Sequence, residues 1–473
     1  MKRLGRGRLA LFLGVLGPGI ITAAADNDAG GITTYSVAGA SYRYDLLWVL
    51  VLITFVLAMV QEMCARMGAV TQKGLGELIR ENFGVKWTLF ALGALLIANL
   101  ATTVAEFAGL AAALGIFGVS KYITVPAAAI VIWVLVVKGS FRTVERVFLA
   151  LTLVYGTYVV SGVLARPDWS EVSDAILTPT FRANPGYMFL AIGVIGTTIT
   201  PWMQFFLQAT VVDKGVRLEN YAYQKWDVYV GAFLTDLVAF FIIIAAAATI
   251  HTKGMNIESA ADAAVALKPV AGRYATVLFA AGLFNASLLA AAVLPLSTAY
   301  TYSEAFGWEI GVSRRFSEAP IFYSIYTFSI LFGAGVVLMP NLRLIQAMIN
   351  AQVIQGVLLP VILVFMLKLI NRKDVMGNYT NSRTYNVAVF GIAVVLILMT
   401  LIWLVSVLLG LGDTLVTERV QNAAEWGYAA GSQRSFEATR SRSTPLTTRV
   451  GRLCTRGGVG RFFTKSPLTF SVE

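Results

Sequence analysis

The sequence predicts an all-α polytopic membrane protein, and three observations lead there. The 473-residue chain is 57% hydrophobic and only 13% charged, with a mean hydropathy of +0.72. That is about half the charge share of an ordinary soluble domain. Apolar runs of about 18 residues or more recur from one end to the other, each long enough to cross a hydrocarbon core of ~30 Å. These runs do not alternate in polarity as barrel strands must. The third observation is local: Ala25-Asp26-Asn27-Asp28-Ala29-Gly30-Gly31 places two carboxylates and two glycines inside a long uncharged stretch. A charge at that depth costs several kcal/mol unless it is paired or has a task.

About eleven spans account for the apolar pattern. The first is broken, 9–25 and then 32–42, because Gly30-Gly31 interrupts the helix where the acids sit. Spans two to five are expected at 46–66, 87–114, 122–137 and 144–165. The sixth, 188–212, is broken as well. Pro201 removes a backbone hydrogen bond and clashes with the preceding turn, and Thr197, Thr198 and Thr200 stand beside it to re-satisfy freed groups or face a cavity. Spans seven to eleven follow at 228–250, 274–302, 321–339, 342–370 and 387–411.

Two broken spans at corresponding places in the two halves point to an inverted repeat with an ion or substrate site near the midplane. The membrane domain is read as 1–411, with repeats at about 8–165 and 187–370 and one further helix at 387–411. Residues 412–473 are rich in Ser, Thr, Arg and Gly and read as a disordered basic tail.

Lysine and arginine set the orientation. Lys2, Arg3, Arg6 and Arg8 precede the first span, and Arg66, Lys73, Arg80, Lys138, Arg142, Lys214, Arg217, Arg372 and Lys373 fall in turns on the same side. The N-terminus is therefore expected in the cytoplasm and, with an odd number of spans, the C-terminus outside. The tail's arginines oppose that placement, though long tails escape the rule more readily than short loops. The net charge of +11 fits an anionic leaflet and a basic tail, not nucleic acid. One histidine, His251, excludes a histidine metal cage, and Cys64 and Cys454 make no disulfide framework. No nucleophile–base pair or metal-protease spacing is present, so an enzyme is not expected.

Carboxylates and unwound carbonyls suit a hard cation. Asp28 is the first candidate, and capping the second half-helix is its competing role. Asp26 is balanced between the same two roles. Asp26-x-Asp28-x-Gly30 fails as a calcium loop, whose twelfth position should be Glu and is Val37. Asp236 in span seven and Glu106 in span three are intramembrane acids, each either functional or a hydrogen-bonded structural group. Gln204 and Gln208 follow the second break at helical spacing and either line a pathway or pack. Asn350 and Gln355 are expected to bond between helices, and Glu62 to reach Arg66 one turn on.

The order of Gly17-Pro18-Gly19, Asp28, Ala101-Thr102-Thr103-Val104-Ala105-Glu106, the Pro201 break, Gln352, Pro360 and Met376-Gly377 resembles the NRAMP family of divalent metal transporters over about residues 8–411. The resemblance implies a LeuT-type fold of two inverted five-helix repeats. It implies metal ligands at Asp28, at Gly31, at Thr197 through its carbonyl, at Thr200 and at Gln352. Where the family carries Asp-Pro-Gly-Asn, this chain has Asp28-Ala29-Gly30-Gly31, so an asparagine ligand has become Gly31. Where it carries a methionine ligand stands Thr200, and where it carries a proton-transferring histidine stands Trp202. An aspartate of span three is Thr103, and span nine lacks its arginine partner.

Soft sulfur favours transition metals, and its loss removes that bias. Magnesium keeps several waters and binds through one or two carboxylates. The pattern resembles the NRAMP-related magnesium transporters of prokaryotes. It implies a monomeric carrier in a prokaryotic plasma membrane that takes up Mg2+, with Mn2+ accepted, without proton coupling and without a cofactor. The competing readings are a proton-coupled manganese or iron symporter and an amino-acid carrier of the same fold. The second is opposed by two aspartates where a substrate carboxylate would bind.

Overall fold

The computed structural model describes residues 18–138, 155–182, 184–311 and 315–409. These residues belong to one unit that ends at Gly412. The start of the first span, the first half of the fifth, and the basic tail lie outside the described residues.

Helices α1 (Pro18–Asp26) and α2 (Ala29–Tyr42) are the two halves of the first span. Helices α3 (Leu47–Thr71), α4 (Leu75–Gly115) and α5 (Lys121–Val137) follow. Helix α6 (Gly156–Leu164) is the described part of the fifth span. Helix α7 (Trp169–Leu177), capped by Asp168, lies in the next loop. Helices α8 (Pro185–Thr198) and α9 (Pro201–Asp213) are the halves of the sixth span. Then come α10 (Tyr221–Thr249), α11 (Ala275–Phe306), α12 (Pro320–Val337), α13 (Leu344–Ile370) and α14 (Arg383–Leu408).

Two short helices stand beside the expected spans. Helix α4 is two helices joined at a kink at Gly84 (φ 77°): a short charged helix from Leu75 precedes the kink, and the apolar helix after it corresponds to the third span expected at 87–114. The charged residues Glu77, Arg80 and Glu81 kept the short helix before the kink out of the apolar pattern. The loop before α8 holds the other, α7, whose Glu171 pairs at 2.6 Å with Arg43 at the end of α2.

Packing follows the broken halves. Helix α2 lies against α8, and α1 against α9, so the two interruptions face each other. Helix α4 runs along both α11 and α13, and α10 closes over α1, α2 and α3. Small residues permit the closest approach. A Cβ at Gly196 would fall 2.2 Å from the Gln352 carbonyl, and one at Gly356 would fall 2.4 Å from the Ile192 carbonyl. Backbones of α8 and α13 therefore touch at two glycines, the device by which membrane helices pack without a hydrophobic driving force. This contact carries Gln352 to the first break.

The outward faces are apolar. Leu89, Phe90 and Ile97 on α4, Ile123 and Ile130 on α5, and Phe390, Leu398 and Leu401 on α14 are all exposed. So continuous an apolar perimeter needs lipid around it. Among the described residues, eight helical stretches are long and apolar enough to span a membrane, and the window in α14 is only 28% buried.

Candidate functional site

The first break is built by its own sequence. Helix α1 ends at Asp26, and Asp28 takes extended backbone geometry as the N-cap of α2. Its Oδ1 accepts the Gly31 amide at 2.5 Å. The cap and ligand roles are therefore not exclusive, since Oδ2 is free of that bond. Gln352 comes from α13, its Nε2 lying 3.3 Å from both Asp28 oxygens. It occupies space that only a glycine leaves: a Cβ on Gly30 would sit 1.9 Å from that nitrogen.

The missing side chain of Gly31 is equally specific. Its Cβ direction leads between Thr197 Oγ1 at 2.9 Å, Asp28 Oδ1 at 3.1 Å and the Asp26 carbonyl at 3.3 Å. Three oxygens from both broken spans thus converge around one glycine. Such oxygens suit a hard cation.

The second break sorts its threonines. Thr198 donates back to the Val194 carbonyl at 2.8 Å and meets the Tyr35 hydroxyl at 2.8 Å. Thr197 Oγ1 and Thr200 Oγ1 have no protein partner, although both residues are buried. Thr200 is the N-cap of α9 but makes no side-chain cap bond. Gln352 Oε1 is also without a protein partner. A buried polar atom left unmatched costs about 1–3 kcal/mol, so several around one carboxylate mark a place where something polar binds.

Glu106 on α4 reaches the same break. Its Oε2 accepts the Ala29 amide at 3.3 Å, one residue from Asp28, and its Oε1 has no protein partner. Two buried carboxyls brought to one break repel unless a proton or a cation is held there. Asp26 and Asp236 form a second acidic pair nearby. Asn27 donates to Thr235 at 2.8 Å and so fixes the adjoining residues of α10. Asp26 Oδ1 and both Asp236 oxygens lack a well-formed protein hydrogen bond. Among the described residues none of these four acids makes an ion pair. Among the same residues no group of three His, Cys, Asp or Glu is arranged to hold a metal. The side chains that converge at the first break bring carboxylates and neutral oxygens.

The remaining candidates divide. Trp202 is fully buried with its indole N–H unpartnered, and Gln204 donates to the Thr200 carbonyl at 2.9 Å. Gln355 bonds across to Thr102 at 2.5 Å, as expected between helices, and Glu62 meets Arg66 at 3.3 Å. Asn350 does not bond between helices: its partner is Gln346 of its own helix, at 2.7 Å, and both are exposed. His251 binds the Ala40 carbonyl at 2.7 Å at the end of α10.

Residues 19–406 match the family pattern described as natural resistance-associated macrophage protein-like. The chain belongs to the Nramp family. Among its curated relatives is the divalent metal cation transporter MntH of Deinococcus radiodurans, 30% identical over 83% of this chain and 90% of that protein. The MntH of Yersinia pestis is 29% identical over 82% and 93%. Among solved structures, the Eremococcus coleocola manganese transporter superposes with a TM-score of 0.67 at 20% identity, covering 84% of this chain and 86% of that one. MhsT in complex with L-phenylalanine superposes with a TM-score of 0.50 at 16% identity, over 82% and 98%. The Nramp chain thus has the LeuT-type architecture, with its first and sixth helices broken.

Proposed function

We propose that this Nramp-family transporter of divalent metal carries magnesium, with manganese also accepted, by alternating access and without proton coupling. The observation that carries the reading is the donor set: Asp28, Thr197, Thr200, Gln352 and the Asp26 carbonyl offer oxygen and no sulfur. Nearby thioethers are otherwise engaged, Met348 by the Thr33 hydroxyl at 3.5 Å and Met203 by Gln61 at 3.9 Å. Oxygen-only donors suit a hard ion that keeps several waters. Opposite Gly31 no amide takes up the space, which favours a retained water.

Uncoupled transport rests on three neutral substitutions. An indole N–H donates only and takes no proton near neutral pH, which leaves Trp202 unable to relay one. Thr103 spends its hydroxyl on the Asn99 carbonyl at 2.7 Å, and α12 meets it at Gly333 with no charge on either side. Asp28, with Glu106 at the same break, still provides the negative charge that binds a cation.

The second reading is a proton-coupled manganese or iron symporter, and its manganese part is favoured by the name of the Eremococcus coleocola manganese transporter. Flux in proteoliposomes carrying a magnesium indicator and a pH indicator separates the two. Saturable magnesium influx without internal acidification is expected. Manganese-dependent acidification with magnesium excluded would overturn the proposal.

A further inference from the structure

Helix α9 carries a second feature beyond the break. Thr200, Gln204 and Gln208 recur every four residues, so they share one face and climb about 6 Å per step. All three are buried, and each keeps a side-chain oxygen without a protein partner. The amide nitrogens are used locally: Gln204 on the Thr200 carbonyl, and Gln208 on the Lys73 carbonyl at 2.8 Å. The oxygens are left as a ladder leading away from Asp28.

The ladder ends at a carboxylate. Glu304, in the last turn of α11, lies against the residue after Lys73: a Cβ on Gly74 would be 1.9 Å from Glu304 Oε2. That oxygen is buried and has no protein partner. Gln208 and Glu304 therefore approach adjacent residues, Lys73 and Gly74, from different helices. Around them stand Glu77, which with Glu81 is bridged by Lys73, and Asp213 at the end of α9. Arg80 is turned to the Ala305 carbonyl at 2.6 Å. Gly74 also begins α4, whose helix end favours a carboxylate, so a plain counter-charge is the competing role of Glu304.

We propose that Gln208 and Glu304 form a second divalent-cation site, at the end of the ladder on the face that the lysine and arginine distribution assigns to the cytoplasm. A carboxylate with an amide oxygen takes the same hard, partly hydrated ion as the midplane site. Its role as an exit station rests on the transport reading above. Its existence as a binding site does not.

Counting bound Mn2+ by electron paramagnetic resonance on the purified full-length protein tests it. Two sites are expected in the natural protein, one in Asp28→Ala, one in Glu304→Gln and none in the double variant. Gln208→Glu in the Asp28→Ala background should tighten the remaining site, and Gln208→Leu should weaken it if Glu304→Gln fails to fold. A Glu304→Gln protein that is folded and keeps every site overturns the proposal and leaves Glu304 as a helix counter-charge. An Asp28→Ala protein with its full complement of sites overturns the transport reading instead, while the Glu304 count still stands on its own.

Discussion

Asp28 uses one carboxylate twice. Oδ1 holds the Gly31 amide and so starts α2, while both oxygens lie within reach of Gln352. Asp28→Ala removes the cap and the charge together, so divalent binding should vanish in calorimetric titration. Asp28→Asn separates the roles, because an amide still caps: helix content by circular dichroism should persist while binding is lost. Gln352→Leu removes the group that orients Asp28, and weaker binding by about 10- to 100-fold is expected, as for partners that position a metal ligand. Thr200→Met with Gly31→Asn should shift preference toward manganese or cadmium in competition flux assays. Unmoved selectivity would show that these two positions do not set it. Which threonine of the second break is free was not legible from sequence, because Thr197 and Thr198 look alike until Tyr35 folds against one of them.

At the scale of elements, the contact of α8 with α13 positions the site. Gly356→Val would push a side chain to within 2.4 Å of the Ile192 carbonyl. Overpacking of this kind costs about 1–3 kcal/mol, so a lower melting temperature and weaker metal binding should appear together. A loss of stability with binding unchanged would show that the two helices do not need this approach to hold Gln352. Both breaks were readable from sequence because their causes are local: Gly30-Gly31 beside an acid, and Pro201 among threonines. Helix α7, the short helix before Gly84 and the approach of Gln208 and Glu304 to Lys73 and Gly74 were not. They depend on charged turns beyond the bilayer or on residues far apart in the chain.

At the scale of the whole molecule, the described residues present an apolar perimeter, and Asp26, Asp28, Glu106 and Asp236 are buried among them without an ion pair. Its orientation rests on the loop charges, and the chain supplies its own reporter. Cys64 is fully buried on α3, and Cys454 lies in the basic tail. A membrane-impermeant maleimide should therefore label intact cells at Cys454 if the C-terminus is outside. Labelling only after permeabilisation would reverse that assignment.

The central claim is that Asp28 anchors an oxygen-only, partly hydrated divalent site between the two breaks, and anomalous scattering from Mn2+ soaked into crystals of the protein tests it most directly. The account predicts a peak bounded by Asp28, Thr197 and Gln352, with at least one of them farther away than the ~2.0–2.1 Å of direct magnesium coordination because water intervenes. A peak bonded to a methionine sulfur, or one at Asp236 with none beside Asp28, would contradict it.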